Sequence, residues 1–302
     1  MTVRDYQVPV STLVTIGRPK QNGRKWFDYI EAYGFTQDHV PELIRLAVEE
    51  DWNWDDEGEC YASIHAYRVL GQLKAEAAIA PLISLLRNDD SDWYLEDLPI
   101  VFGMIGPACM PALTEYLADT EPSSWSRIAA ASGLAKIAKA SPDHQAECIQ
   151  LLTQALSRHK QEPSELNGSL VAKLLDLEAT DAAEVIEKAY KEGPMDEMVC
   201  GSWATVQIEL GLATRADFTP EELQPKMSDG MEVLTEMVDL VKTLAEAETA
   251  SKMSAKGSVQ GSDLLQFGKG SLKAGTSKSS KPKSGFGSQQ PKEKKKKKKK
   301  KR

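Results

Sequence analysis

A fixed period runs through the middle of this chain, thirty-two positions long. Tyr61, Trp93 and Trp125 stand at one phase of it, Leu70, Phe102 and Leu134 at a second, and Leu73, Ile105 and Ile137 at a third. A period in the twenty-to-fifty range constrains the fold more than any composition does, because a unit of that size cannot bury its own apolar face and must stack on a neighbour. The fold class expected is therefore all-α, an α-solenoid of stacked helical hairpins. In the first unit one helix covers 61–73 and a second 78–86, and the same pattern recurs from Trp93 to Leu117 and from Trp125 to Leu156. Proline early in the second helix of a unit, as at Pro81 and Pro111, is compatible with a helix because first-turn amides have no intrahelical partner. A fourth, weaker unit follows, with Leu175 further beyond Leu134 than one period would set it, so the loop around His159 to Glu165 is longer.

The flanking segments complete the expected organisation. Residues 1–20 contain Pro9, Gly17 and Pro19 and read as an extended lead-in, and residues 21–58 as a helical hairpin whose first helix begins near Trp26. The array with its terminal cap spans 59–212. A C-terminal helix is expected in 213–251, from Glu221 to about Glu248, with Met231, Leu234, Met237, Val238, Val241 and Leu244 on one stripe. Residues 252–302 are rich in Lys, Ser and Gly, hold almost nothing to bury, and read as a disordered tail.

Charge divides at the same boundary. Residues 252–302 carry 17 basic and two acidic side chains, a net of +15, so residues 1–251 hold 20 basic and 43 acidic ones, a net of −23, behind a formal total of −8. Such a tail attracts phosphate or any acidic surface, the body's own included, whereas the body repels nucleic acid. The four cysteines, Cys60, Cys109, Cys148 and Cys200, stand far apart in the sequence without a C-x-x-C pair, which indicates neither a zinc site nor a disulfide framework. No signal peptide or uninterrupted apolar span is present, so no membrane partner is expected, and the compartment expected is the cytoplasm, or the nucleus in a eukaryotic host.

The run Ala66-x-x-x-Leu70-Gly71-x-Leu73, followed by Ala78-Ile79-x-Pro81-Leu82-x-x-Leu85-Leu86, is similar to the short HEAT-like repeats first described in phycobilisome lyases. That similarity covers roughly residues 60–192, and the whole body resembles a group of bacterial HEAT-like proteins. Some members of that group end in a cysteine-rich zinc motif like that of the SecA translocation ATPase; this tail has no cysteine, so no metal is implied. The deoxyhypusine hydroxylases share the repeat and hold di-iron through His-Glu pairs, but the histidines here are His39-Val40, His65-Ala66, His144-Gln145 and His159-Lys160. The resemblance is specific for the repeat and hardly at all for a function; with no catalytic constellation in the residues, the function expected is a non-enzymatic scaffold that binds another protein and holds no cofactor, with a bilin lyase-like or other enzyme-accessory role as the alternative. No phosphate-binding loop or nucleophile–base spacing is present in the body.

Two groups of residues are candidate sites. Aromatic residues recur beside acids: Trp52 and Trp54 inside an acidic stretch, Tyr61, Trp93 after Asp89, Asp90 and Asp92, and Trp125 after Glu121. Stacked units set equivalent positions on one edge about 10 Å apart by helix-packing distance, and such an edge suits a basic segment of another protein through charge and cation–π contact. The alternative is that the aromatics fill gaps between units and the acids favour helix N-termini. The second group is the run Lys294, Lys295, Lys296, Lys297, Lys298, Lys299, Lys300, Lys301 and Arg302, which fits a non-specific RNA or ribosome contact, a solubilising role, or folding back on the acidic body.

Overall fold

The computed structural model describes residues 6–19, 26–48, 59–88 and 92–226, and these are mostly helical, with no strand among them. The chain divides into two units, Met1–Leu240 and Val241–Arg302. The second, with the Lys-rich tail, lies outside the described residues, as do the acidic stretch 49–58 and the greater part of the expected C-terminal helix.

The helices come in hairpins: α1 (Tyr29–Tyr33) with α2 (Val40–Ala47), α3 (Ala62–Gln72) with α4 (Ile79–Leu85), α5 (Asp92–Ile105) with α6 (Met110–Ala118), α7 (Ser124–Ala140) with α8 (Gln145–Leu156), and α9 (Ser164–Asp176) with α10 (Ala183–Glu192). Two short helices, α11 (Glu197–Cys200) and α12 (Trp203–Glu209), follow, separated by Gly201 at φ 86°. Each second helix is entered through one turn of 3-10 helix, at Gln37–His39, Glu76–Ala78, Pro107–Cys109, Pro142–His144 and Thr180–Ala182. The tighter turn closes an i to i−3 hydrogen bond at the same place every time: His39 N to Thr36 O, Ala78 N to Ala75 O, Cys109 N to Gly106 O, His144 N to Ser141 O and Ala182 N to Ala179 O, all at 2.9–3.1 Å. It thereby occupies an amide that a plain helix N-terminus leaves without a partner. The N-terminal hairpin thus shares the construction of the four that follow it.

First helices pack side by side in chain order, α3 on α5, α5 on α7 and α7 on α9, with α11 against α9; second helices do the same, α4 on α6, α6 on α8 and α8 on α10. The period sets this contact. Leu70, Phe102 and Leu134 are all fully buried, as is Ile137, and Ile105 nearly so, each worth about 1.5–3 kcal/mol in apolar area removed from water. Along α3 the run Ala62–Gly71 is buried throughout, because α2, α5, α1 and the N-terminal segment all pack on it. Close approach of α5 and α7 depends on Gly103, where a Cβ would stand 2.7 Å from Lys136 Cβ.

Three expectations are corrected. The lead-in is not extended throughout: Val10–Thr15 forms a 3-10 helix that packs on α3 and buries Val10, Leu13 and Val14. Those three apolar side chains fall on one side of a helical turn, and their burial outweighs the breaking influence of Pro9 and Gly17. The first helix begins at Tyr29, not Trp26, because the Asp28 carboxylate accepts the Glu31 amide and caps it there. No C-terminal helix starts at Glu221: Thr219 and Glu222 exchange reciprocal hydrogen bonds to form a single turn, and residues 221–226 do not continue as helix. Pro225 has no amide to donate and disfavours helical backbone in the residue before it.

Candidate functional site

Of the aromatic residues that recur beside acids, Tyr61 and Trp93 come together, ring centroids 6.2 Å apart and nearly edge-on. Both are half-buried. The Arg68 guanidinium lies 5.7 Å from the Trp93 ring and 4.5 Å from that of Trp26, so a cation of the protein itself already occupies the cation–π position on those two rings. Trp125, at the start of α7, is 59% exposed and has no ring contact with the other two among the described residues. Asp92 and Glu121 are exposed, whereas Trp52, Trp54, Asp89, Asp90 and the run Lys294–Arg302 lie outside the described residues.

Beneath the aromatic pair runs a buried polar network. Arg68 Nε donates to Asp97 Oδ2 at 2.7 Å, and the Tyr67 hydroxyl donates to the same oxygen at 3.1 Å. Burial pushes the Asp97 carboxyl up, with Arg68 opposing it, and lifts the Tyr67 hydroxyl well above its ordinary range, which keeps it a donor. Beside them His65 Nε2 stands 2.7 Å from the Gly17 carbonyl, an acceptor only, so the ring proton sits on Nε2 and Nδ1 accepts from Tyr29 Oη at 2.6 Å. Burial lowers His65 to about 4, which keeps that tautomer neutral. The network ties the N-terminal segment and α1 to α3.

A second buried pair, Arg127 with Glu162 at 2.7 Å, fixes the longer loop after α8. Arg127 also donates to the Leu117 carbonyl, and Asn167 Nδ2 to the carbonyls of His159 and Pro194. These contacts account for the displaced register of the fourth unit: the loop is a clamp between α7 and α9. Burial also raises the thiols of Cys109, to about 12, and of Cys148 and Cys200, each to about 11, so they remain protonated and unreactive at neutral pH.

The open surface of the first helices carries a groove. One cavity of about 600 Å3, lined by Trp26, Asp28, Ile30 and Glu31, meets a second of about 430 Å3, lined by Lys74 and Lys136, and the two share Gln72, Ile100 and Met104. Gln72, Met104 and Lys136 are again one period apart, so the groove is a fourth phase of the repeat, one position before the buried or half-buried Leu73, Ile105 and Ile137. Its floor is apolar and its ends are charged, acidic with a tryptophan at one and basic at the other. Gln72 fixes the acidic end: its side-chain oxygen accepts from Tyr29 N at 2.9 Å and its nitrogen donates to Phe27 O at 2.7 Å, clasping the turn that bears Asp28. None of these residues was among the candidates from the sequence, although continuing the period by one position would have reached three of them.

Among the described residues, no three His, Cys, Asp or Glu side chains come together as a metal ion requires. No single helix among them is long and apolar enough to cross a membrane. Compared with protein families, with curated proteins and with solved structures, the chain matches none.

Proposed function

We propose that this protein is a non-enzymatic binding scaffold, an α-solenoid of HEAT-like hairpins that holds a segment of another protein along the groove over α3, α5 and α7. The observation that carries this reading is the continuity of the groove across successive hairpins, with an apolar floor at Ile100 and Met104 and opposite charges at its two ends. Recognition of an extended or helical segment needs such a surface: apolar anchors supply affinity and end charges fix direction. Asp28 and Glu31 beside Trp26 suit a basic residue at one end of the segment, while Lys74 and Lys136 suit an acidic one at the other. The partner expected for the aromatic edge, a basic segment, is retained for the acidic end alone.

Selection of a displayed random-peptide library on the full chain tests this. Peptides with an apolar centre flanked by basic and acidic ends are expected, and Met104→Glu, which buries a charge under the bound segment, should weaken them at least about tenfold, the equivalent of about 1.4 kcal/mol. Recovery of no peptide, or of peptides that bind the Met104→Glu chain equally well, overturns the reading.

A further inference from the structure

The basic end of the groove holds more positive charge than a single carboxylate can balance. Lys74 and Lys136 line the cavity of about 430 Å3 together with Ser141. Neither lysine is ion-paired among the described residues. A third cation bears on the same place from α9. Burial lowers the ammonium of Lys173, in the last turn of that helix; Asp176 opposes the shift, and the like charge of Lys136 adds to it. Asp176 is itself paired with Lys139.

The backbone singles out Lys74. It takes φ 52°, in the left-handed region where a side chain costs energy and glycine does not, and a glycine stands one period on, at Gly106 with φ 100°, in the wall of the same cavity. Glycine at 74 would close the turn without that cost, so turn geometry does not call for lysine there. The attraction of a helix C-terminus for a cation accounts for each lysine singly. It does not account for two of them converging on one cavity, where like charges repel.

We infer that the basic end of the groove is a phosphoryl site, which receives a phosphorylated side chain of the held segment with Lys74, Lys136 and the Ser141 hydroxyl as its donors. A phosphoryl group carries a charge of about −1.5 to −2 and three strong acceptor oxygens, a match for two free ammonium groups, whereas a carboxylate matches one. The apolar floor at Ile100 and Met104, with Asp28 and Glu31 at the far end, suits a peptide and repels the backbone of a nucleic acid. The inference rests on the groove reading and adds to it that the partner is recognised in its phosphorylated form.

The test uses oriented peptide arrays probed with the full chain, each peptide having a basic end, an apolar centre and one variable position beyond it. Phosphoserine at that position should bind at least about tenfold more tightly than aspartate or serine. Lys136→Gln should remove this preference while leaving binding of the serine peptides unchanged, and Lys74→Gly should remove it without lowering the thermal midpoint. Equal binding of the three forms, a preference that survives both substitutions, or inorganic phosphate alone binding as tightly as the phosphopeptides overturns the inference and leaves the groove reading standing. Failure of every peptide form to bind overturns both.

Discussion

The burial of His65 has a consequence for stability that can be worked out in sign and size. Its imidazole is held near 4 in the fold against 6.5 when free, so the unfolded chain takes up the proton first as pH falls. Its contribution is intact above pH 6.5 and is lost between 6.5 and 4, reaching about 2 kcal/mol at pH 5. Urea titrations at pH 7 and pH 5 should show that loss in the wild type and a smaller one in His65→Gln, whose amide can still donate to Gly17 and accept from Tyr29; equal losses would count against the assignment. Arg68 is the other residue whose role comes from burial. Seated between two tryptophans and paired with Asp97, it spends the rings of Trp26 and Trp93 on internal packing, leaving Trp125 as the described tryptophan most open to solvent.

At the scale of elements, the contact between α5 and α7 limits how the hairpins stack. Gly103 lets the two backbones approach, and an added methyl group would stand 2.7 Å from Lys136 Cβ, inside contact distance for a Cβ that cannot rotate away. Gly103→Ala should therefore destabilise by about 1–3 kcal/mol, the usual cost of overpacking, although alanine is the better helix former by about 1 kcal/mol in an open helix. A lowered thermal midpoint supports the close-approach role, and a raised one refutes it. Four of the five turns between paired helices share a backbone feature as well: Gly34, Lys74, Gly106 and Glu178 each take positive φ where a first helix gives way to the 3-10 entry of the second, whereas Ser141 between α7 and α8 has φ −132°. That Lys74 and Gly106 also stand one period apart shows the backbone keeping the repeat where the side chains do not.

At the scale of the whole molecule the charge division makes a separate prediction. Nine adjacent cations at the C-terminus release counterions on binding a single-stranded polyanion, so the affinity of the full chain for unstructured RNA should fall with salt with a log–log slope approaching about 6. A chain ending at Ser251 should bind far more weakly at low salt, because the remaining residues carry a net charge of −23. Equal binding by the two, measured by fluorescence anisotropy, removes the tail from any role in polyanion contact. Groove and tail thus offer different chemistries, one directional and partly apolar, the other purely electrostatic.

The period and the apolar phases at Leu70, Phe102 and Leu134 determined on their own that helices would pair and that these side chains would be buried, because a repeated pattern confronts each unit with the same neighbour problem. The break in charge near Ser251 was likewise a property of the sequence alone. Tertiary structure decided what the remaining positions do. Trp93 faces an internal arginine because Arg68 arrives from the first helix of the preceding hairpin and Trp26 from the segment leading into the hairpin before that, a meeting that no local spacing encodes. Val10, Leu13 and Val14 became core only because α3 offered them a face, and Gln72, Met104 and Lys136 became one groove because the helices that bear them stack in register. Periodicity records which side of a helix seeks burial; which partner fills that side, and which phase is left open to another molecule, depends on contacts between residues far apart in the chain.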